Sequence, residues 1–129
     1  YSIQLTKEMS LKLLPAFWPP IQDKDLDWNL LKNNYKYEFR NHPNEFHNGG
    51  SWAMINGFFG VALLSKSKKE DALVILNAIN EINAVEDFSF YENFNSKTKL
   101  PNGIPFCAWS AAATVILNQS LMNNFKFLV

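Results

Sequence analysis

Residues 52–65 and 109–121 constrain the fold more than anything else in the chain, because each is apolar around nearly its whole helical circumference. The first carries Trp52, Ala53, Met54, Ile55, Phe58, Phe59, Val61, Ala62, Leu63 and Leu64, and the second Ala111, Ala112, Ala113, Val115, Ile116, Leu117 and Leu121. A helix of that kind must be covered on most sides. Between them, residues 69–84 place Ala72, Ile75, Leu76, Ile79 and Ile82 at i, i+3, i+4, i+7 spacing, opposite Glu70, Asp71, Asn77, Asn80 and Glu81. That spacing predicts an amphipathic helix lying at a surface. The order is inner helix, outer helix, long loop, inner helix. One amphipathic partner has too little surface to cover two such helices. The expectation is an all-α unit whose second layer is completed by further helices, from a missing part of the polypeptide or from another chain.

At 129 residues the chain is long enough for one domain or part of one, and residues 1–129 are expected to act as a single unit. An apolar content of 47%, with 15% aromatic residues, supplies a core and argues against disorder. Twelve basic residues balance twelve acidic ones and no Lys/Arg block stands out. Neither nucleic acid nor an anionic membrane is therefore an expected partner. The nearest thing to a basic patch, Lys66-Ser67-Lys68-Lys69, reads as a solvated link between helices. Cys107 is the only cysteine, which excludes an internal disulfide and a cysteine-rich metal site. Set between Phe106 and Ala108, it reads as an inert buried thiol. The two histidines and scattered carboxylates form no metal-ligand pattern, and neither a glycine-rich phosphate cradle nor a serine nucleophile elbow is present. No metal and no other cofactor is expected. The longest apolar run, residues 58–64, is too short to cross a bilayer, and no secretory leader is visible. The expected location is cytoplasmic, although a start at Tyr1 rather than methionine reads as a truncated N-terminus.

The remaining segments are less regular. Residues 1–14 fit either a short helix or an extended segment. Pro15, Pro19 and Pro20 forbid a continuous helix, so residues 15–21 should form a rigid aromatic loop. A short helix is expected within 23–34, with Asp25 as its cap and Trp28, Leu31 and Tyr35 on one side. Tyr35, Tyr37 and Phe39 alternate with Lys36 and Glu38 in a strand-like period too short to imply a sheet. Residues 85–107 read as a loop, and loops of that length within a compact domain are usually functional. Phe88, Phe90, Tyr91, Phe94 and Phe106 argue that it is ordered.

The stretch Asn44-Glu45-Phe46-His47-Asn48-Gly49-Gly50-Ser51-Trp52 leads polar groups through two glycines into the first apolar helix. Glycines permit positive φ and close approach to a ligand. Ser51 is the expected cap of a helix starting at Trp52, with His47 and Asn48 presented before its positive end. Small-molecule sites are often built from such a pattern, although on the local pattern alone a tight turn with an ordinary cap is the commoner outcome. His47 and Asn48 either bind hydroxyls or hold the loop. Glu45 is a candidate binding carboxylate that could instead cap the loop or pair with Arg40. Trp52 and Trp109 each begin an inner helix, where an indole either offers a face to a bound ligand or joins the core.

Three blocks carry a family resemblance: residues 44–52, Phe90-Tyr91-Glu92-Asn93-Phe94 with Lys97-Thr98, and Trp109-Ser110-Ala111-Ala112-Ala113. With the loop at 14–21, they make residues 11–120 resemble the C-terminal part of a six-hairpin α/α-toroid glycosidase. That group includes neutral/alkaline invertases and glycogen-debranching or amylo-glucosidase-like enzymes. The resemblance implies helical hairpins forming part of an α/α toroid. It also implies an inverting hydrolase acting on an α-linked di- or oligosaccharide, with Glu92 as general base. Locally, Glu92 stands between Tyr91 and Phe94 in the long loop, where a carboxylate either holds a water or is simply solvated. Inversion needs a second carboxyl group about 6.5–9.5 Å away. The resemblance puts that acid, an aspartate, on an earlier hairpin outside this chain. The sequence departs from the family pattern at Ala53 and Tyr91, where relatives usually carry proline, and at Phe106-Cys107-Ala108, which replaces a more polar run.

Two other functions fit less of the sequence. A non-catalytic carbohydrate-binding or structural helical module would use the same aromatic and amide groups without Glu92. A polysaccharide lyase or uronyl hydrolase would need basic groups for uronate carboxylates, and Arg40 is the only arginine.

Overall fold

The computed structural model describes residues 1–34 and 37–122. In chain order these form α1 (Ser2–Glu8), α2 (Trp28–Asn33), α3 (Ala53–Ser65), α4 (Lys69–Asn83), the short α5 (Val85–Phe88), β1 (Asn93–Phe94), β2 (Pro101–Asn102) and α6 (Ala108–Leu121). The architecture is mostly helical, and β1 and β2 make one small sheet. None of the described helices is long and apolar enough to cross a membrane.

The ambiguous N-terminal segment begins as helix α1 and turns extended at Met9. Asp25 does not cap α2. Its carboxylate accepts a hydrogen bond from the Gln22 amide at 2.7 Å, closing a turn ahead of the helix, and Asp27 takes the N-cap position. Trp28 meets Phe39 edge-on at 5.4 Å. Tyr35, expected beside it, lies outside the described residues, and Tyr37 and Phe39 are not in a strand.

The two apolar helices lie side by side and run the same way. Gly57 of α3 backs onto Ala113 of α6, and one turn on Gly60 backs onto Leu117. A Cβ on Gly57 would sit 3.1 Å from the Ala113 Cα, and one on Gly60 would sit 2.5 Å from a Leu117 methyl. These glycines therefore let the α3 backbone press onto α6. α4 folds back across both, and near its C-terminus Asn83 donates to the Ser110 carbonyl at 2.8 Å, beside the start of α6. Its stripe of Ala72, Ile75, Leu76, Ile79 and Ile82 is buried in the core with Leu13, Ala53, Leu63, Phe94, Ala113 and Leu117. The amphipathic helix thus spends its periodic apolar stripe on the core, while Leu73 and Val74 join its polar residues on the exposed side. Those two helices remain bare elsewhere: Ile55, Phe58 and Val115 are 50%, 47% and 58% exposed. Covering a side chain of that size is worth about 1.5–3 kcal/mol. The described residues contain no element over this face.

Residues 85–107 are not a simple loop. Asn93 pairs with Asn102 and Phe94 with Pro101 in antiparallel register. The pairing continues outward, with the Glu92 amide donating to the Ile104 carbonyl at 3.0 Å and the Cys107 amide to the Phe90 carbonyl at 3.0 Å. At the tip, Asn95 Oδ1 accepts from the amides of Lys97 and Thr98 at 3.0 and 2.9 Å, a side chain standing in for a backbone turn. The strands are too short to show period-two alternation and the tip lacks an Asn-Gly pair, so the usual hairpin signals are missing. Before the hairpin, Glu86, Asp87 and Phe88 all adopt left-handed backbone angles, so α5 is a turn rather than a regular helix.

Candidate functional site

Because α3 and α6 run parallel, their N-termini emerge at the same end, and the segments leading into them meet there. The Ser51 amide donates to the Phe94 carbonyl at 2.8 Å and the Phe94 amide returns a bond to Ser51 at 2.9 Å. On the other side, the Ala16 amide donates to the Gly50 carbonyl at 2.8 Å. Two further bonds tie the same segments, from the Phe46 amide to Asn93 Oδ1 at 3.2 Å and from the Ser96 amide to the Asn44 carbonyl at 3.0 Å. This pairing corrects the expected role of Ser51. Backbone bonds hold it in a bridge between Pro15 and Phe94, α3 starts later at Ala53, and the extended Trp52 takes the N-cap position without a side-chain bond. The Ser51 hydroxyl is buried and has no hydrogen-bond partner.

Asn48 is committed to the loop. Its Oδ1 accepts from the Ile21 amide at 2.7 Å, and its Nδ2 donates to the carbonyls of Ile21 at 2.8 Å and Asn41 at 3.1 Å. Both amide protons are used and the side chain is only 3% exposed, leaving nothing to offer a sugar hydroxyl. Beside it, Gly49 has φ +101° and sits against Pro20, where a Cβ would come within 3.1 Å of the proline ring. Positive φ and close approach together require glycine there.

Three other buried asparagines do similar work and escaped the sequence reading. Asn41 Oδ1 accepts from the His47 amide at 3.0 Å. Asn56 exchanges bonds with both backbone groups of Leu14, at 2.7 and 3.0 Å. Asn93 receives the Phe46 amide. For Asn56 a signal existed: an uncharged polar residue in the middle of an apolar helix must find partners if it is buried.

Other groups at this end remain accessible. His47 is exposed and stacks on Trp52, with ring centroids 5.2 Å apart and planes 12° from parallel. Trp52 is half-buried and donates its indole N–H to the Phe46 carbonyl at 3.2 Å. Trp109, in the first turn of α6, is 41% exposed. Glu45 is half-buried and one of its carboxylate oxygens accepts from Asn95 Nδ2 at 3.1 Å. It does not pair with Arg40, which faces Glu38 at 3.7 Å. His42, on the same loop, packs edge-on against Phe39 at 5.1 Å.

Glu92 differs from all of these. Its backbone is fixed by the hairpin, yet no described residue donates a hydrogen bond to its half-buried carboxylate. The side chain lies over Gly103, whose φ of +79° and facing carboxylate leave no room for a Cβ. Cys107 is buried, with its thiol donating to the Ile104 carbonyl at 3.4 Å. Burial first, and the nearby Glu92 charge second, raise the thiol pKa above its ordinary value. The neighbouring Tyr91 hydroxyl is engaged elsewhere. It donates to Glu86 at 2.6 Å, the main reason its pKa is raised. Ser110 anchors the hairpin to α6 by donating to the Tyr91 carbonyl at 2.8 Å.

The structure thus gathers His47, Trp52, Glu45, Glu92 and Trp109 on the segments at one end of a parallel helix pair, and it withdraws Asn48 into the scaffold. Among the described residues no group of three His, Cys, Asp or Glu side chains is placed to hold a metal. No protein-family model matches the chain, and neither does any curated protein.

Proposed function

We propose that residues 1–129 are part of an inverting glycoside hydrolase of the α/α-toroid kind, acting on an α-linked di- or oligosaccharide. The observation that carries the reading is the Glu92 carboxylate, which takes no hydrogen bond from any described residue and is mounted on a hairpin whose backbone is held by cross-strand bonds. Such a group accepts a proton from water as that water attacks the anomeric carbon. A general acid on another hairpin protonates the leaving oxygen from the opposite face, across a gap of about 6.5–9.5 Å. His47, Trp52 and Trp109 offer ring surfaces for the sugar, and the second oxygen of Glu45 offers an acceptor. The parallel α3/α6 pair backed by α4 is consistent with inner and outer layers of a toroid. Its remaining hairpins are the partner that would cover Ile55, Phe58 and Val115.

The test uses the complete gene product with maltose, nigerose and sucrose as substrates. Glu92→Gln keeps the shape and removes the base, so kcat should fall by about 10²–10⁴ with KM little changed. Normal hydrolysis by this variant overturns the assignment. Saturable sugar binding without hydrolysis by the unaltered protein would instead identify a non-catalytic carbohydrate-binding module. Residues 1–129 expressed alone should show no turnover, since only one of the two carboxyl groups is present.

A further inference from the structure

A second pocket lies away from Glu92. It has a volume of about 370 Å³ and forms where the end of α1 meets Trp18 and Gln22, Asn44, and the hairpin tip at Ser96 and Lys97. None of His47, Trp52, Glu92 and Trp109 lines it. The volume falls at the low end for small-molecule sites, which run from about 300 to 1,000 Å³.

Several of the lining polar groups take no partner among the described residues, although Glu8 accepts from Gln4 and Gln22 donates to the Pro20 carbonyl. Ser96 is completely buried, yet its hydroxyl has no hydrogen-bond partner. A buried hydroxyl in that state carries a desolvation cost that a ligand hydroxyl would relieve. The Asn44 side-chain amide, the Lys97 ammonium and the Trp18 indole N–H also take no described partner. Trp18 is 41% exposed and contributes an aromatic surface to the wall. Glu8 and Lys97 line the same pocket with opposite charges, so the pocket as a whole favours an uncharged ligand. A pyranose has the matching form, with a C–H face for the indole and hydroxyls that both donate and accept.

We propose that this pocket is a second saccharide site, taking one neutral hexopyranose unit against Trp18 with its hydroxyls on Ser96, Asn44 and Lys97. The inference rests on the lining of this pocket and not on the catalytic role of Glu92.

The test labels the complete gene product with 5-fluorotryptophan, assigns the Trp18 fluorine resonance with Trp18→Phe, and titrates maltotriose, glucose and glucuronate. The Trp18 resonance should move saturably with maltotriose and glucose and less with glucuronate. Ser96→Ala should weaken that binding by about tenfold, for one lost hydrogen bond. Because its hydroxyl bonds to nothing in the free protein, the same variant should keep or raise the melting temperature. That stability readout separates lost binding from lost folding. A Trp18 resonance that does not respond to any of the sugars overturns the proposal, as does an unchanged affinity in Ser96→Ala. Stronger binding of glucuronate than of glucose overturns the neutral-ligand assignment. A Trp18 response in a protein that hydrolyses no sugar supports this site while refuting the hydrolase. Hydrolysis without a Trp18 response does the reverse.

Discussion

Segment 41–52, on its way to α3, adds side-chain amides to its backbone bonds, whereas segment 89–107 reaches α6 chiefly through backbone pairing. In the first, Asn41 and Asn48 spend their amides on the Ile21, Asn41 and His47 backbones, and Asn93 reaches across from the hairpin to hold Phe46. What this loop has left for a ligand is mainly ring surface, the stacked His47 and Trp52. In the second, bonds such as Glu92 to Ile104 and Cys107 to Phe90 hold the segment, and a carboxylate stays free. The contrast teaches that the chemical type of a residue does not reveal its role. An amide-rich loop becomes scaffold when its amides are needed beside the backbone bonds to order it, and a carboxylate becomes available when backbone pairing supplies the order instead.

The largest test of this contrast is Asn48→Ala. It strands the half-buried Ile21 amide and two carbonyls, and should cost about 3 kcal/mol of stability, read as a lower midpoint in urea unfolding. An unchanged midpoint with a raised KM would return Asn48 to the sugar site and break the comparison. Next is Gly103→Ala. It forces an alanine into positive φ and pushes Glu92 aside, at a cost above about 1 kcal/mol. Because the displaced group is the proposed base, kcat should fall about tenfold or more, as misplacement of a reacting group does. Retained kcat would mean that the position of Glu92 is unimportant.

His47→Ala should cost only about 0.5–1.5 kcal/mol, the scale of one aromatic pair. Its signature is a several-fold rise in KM with kcat preserved. The smallest effect is a pH shift at Cys107. Burial and the Glu92 charge hold its thiol above the usual range, so its folded state keeps the proton more tightly than the unfolded chain. The associated stability is present at neutral pH and is lost as pH rises through the folded pKa. Glu92→Gln removes one of the two causes. The midpoint of Cys107 alkylation against pH should therefore move down, toward but not to that of a free thiol. A midpoint that stays put would show that Glu92 does not face the thiol.

Some of this was legible from the residues. The 3.6-residue spacing of Ala72, Ile75, Leu76, Ile79 and Ile82 identifies the buried stripe of α4, because a helix repeats its faces at that interval whatever surrounds it. The near-continuous apolarity of α3 and α6 likewise announces more surface than one partner helix covers, and Ile55, Phe58 and Val115 are bare. The hairpin was not legible, since its strands are two residues each and its turn is closed by Asn95 rather than by a familiar dipeptide. Nor was the failure of Ser51 to cap α3, because its backbone is claimed by Phe94, forty-three positions later in the chain.

The sequence by itself determined the three long helices, which of them is amphipathic, and where candidate polar and aromatic residues fall near two helix starts. These follow from local periodicity and residue type. Only the tertiary structure decided that α3 and α6 run parallel through Gly57 and Gly60, so that both starts share one end. It also decided that Asn48 is scaffold while the Glu92 carboxylate and the Ser96 hydroxyl take no partner among the described residues. Hydrogen-bond partners are chosen across the fold, among groups distant in the chain, and no local pattern of residues records that choice.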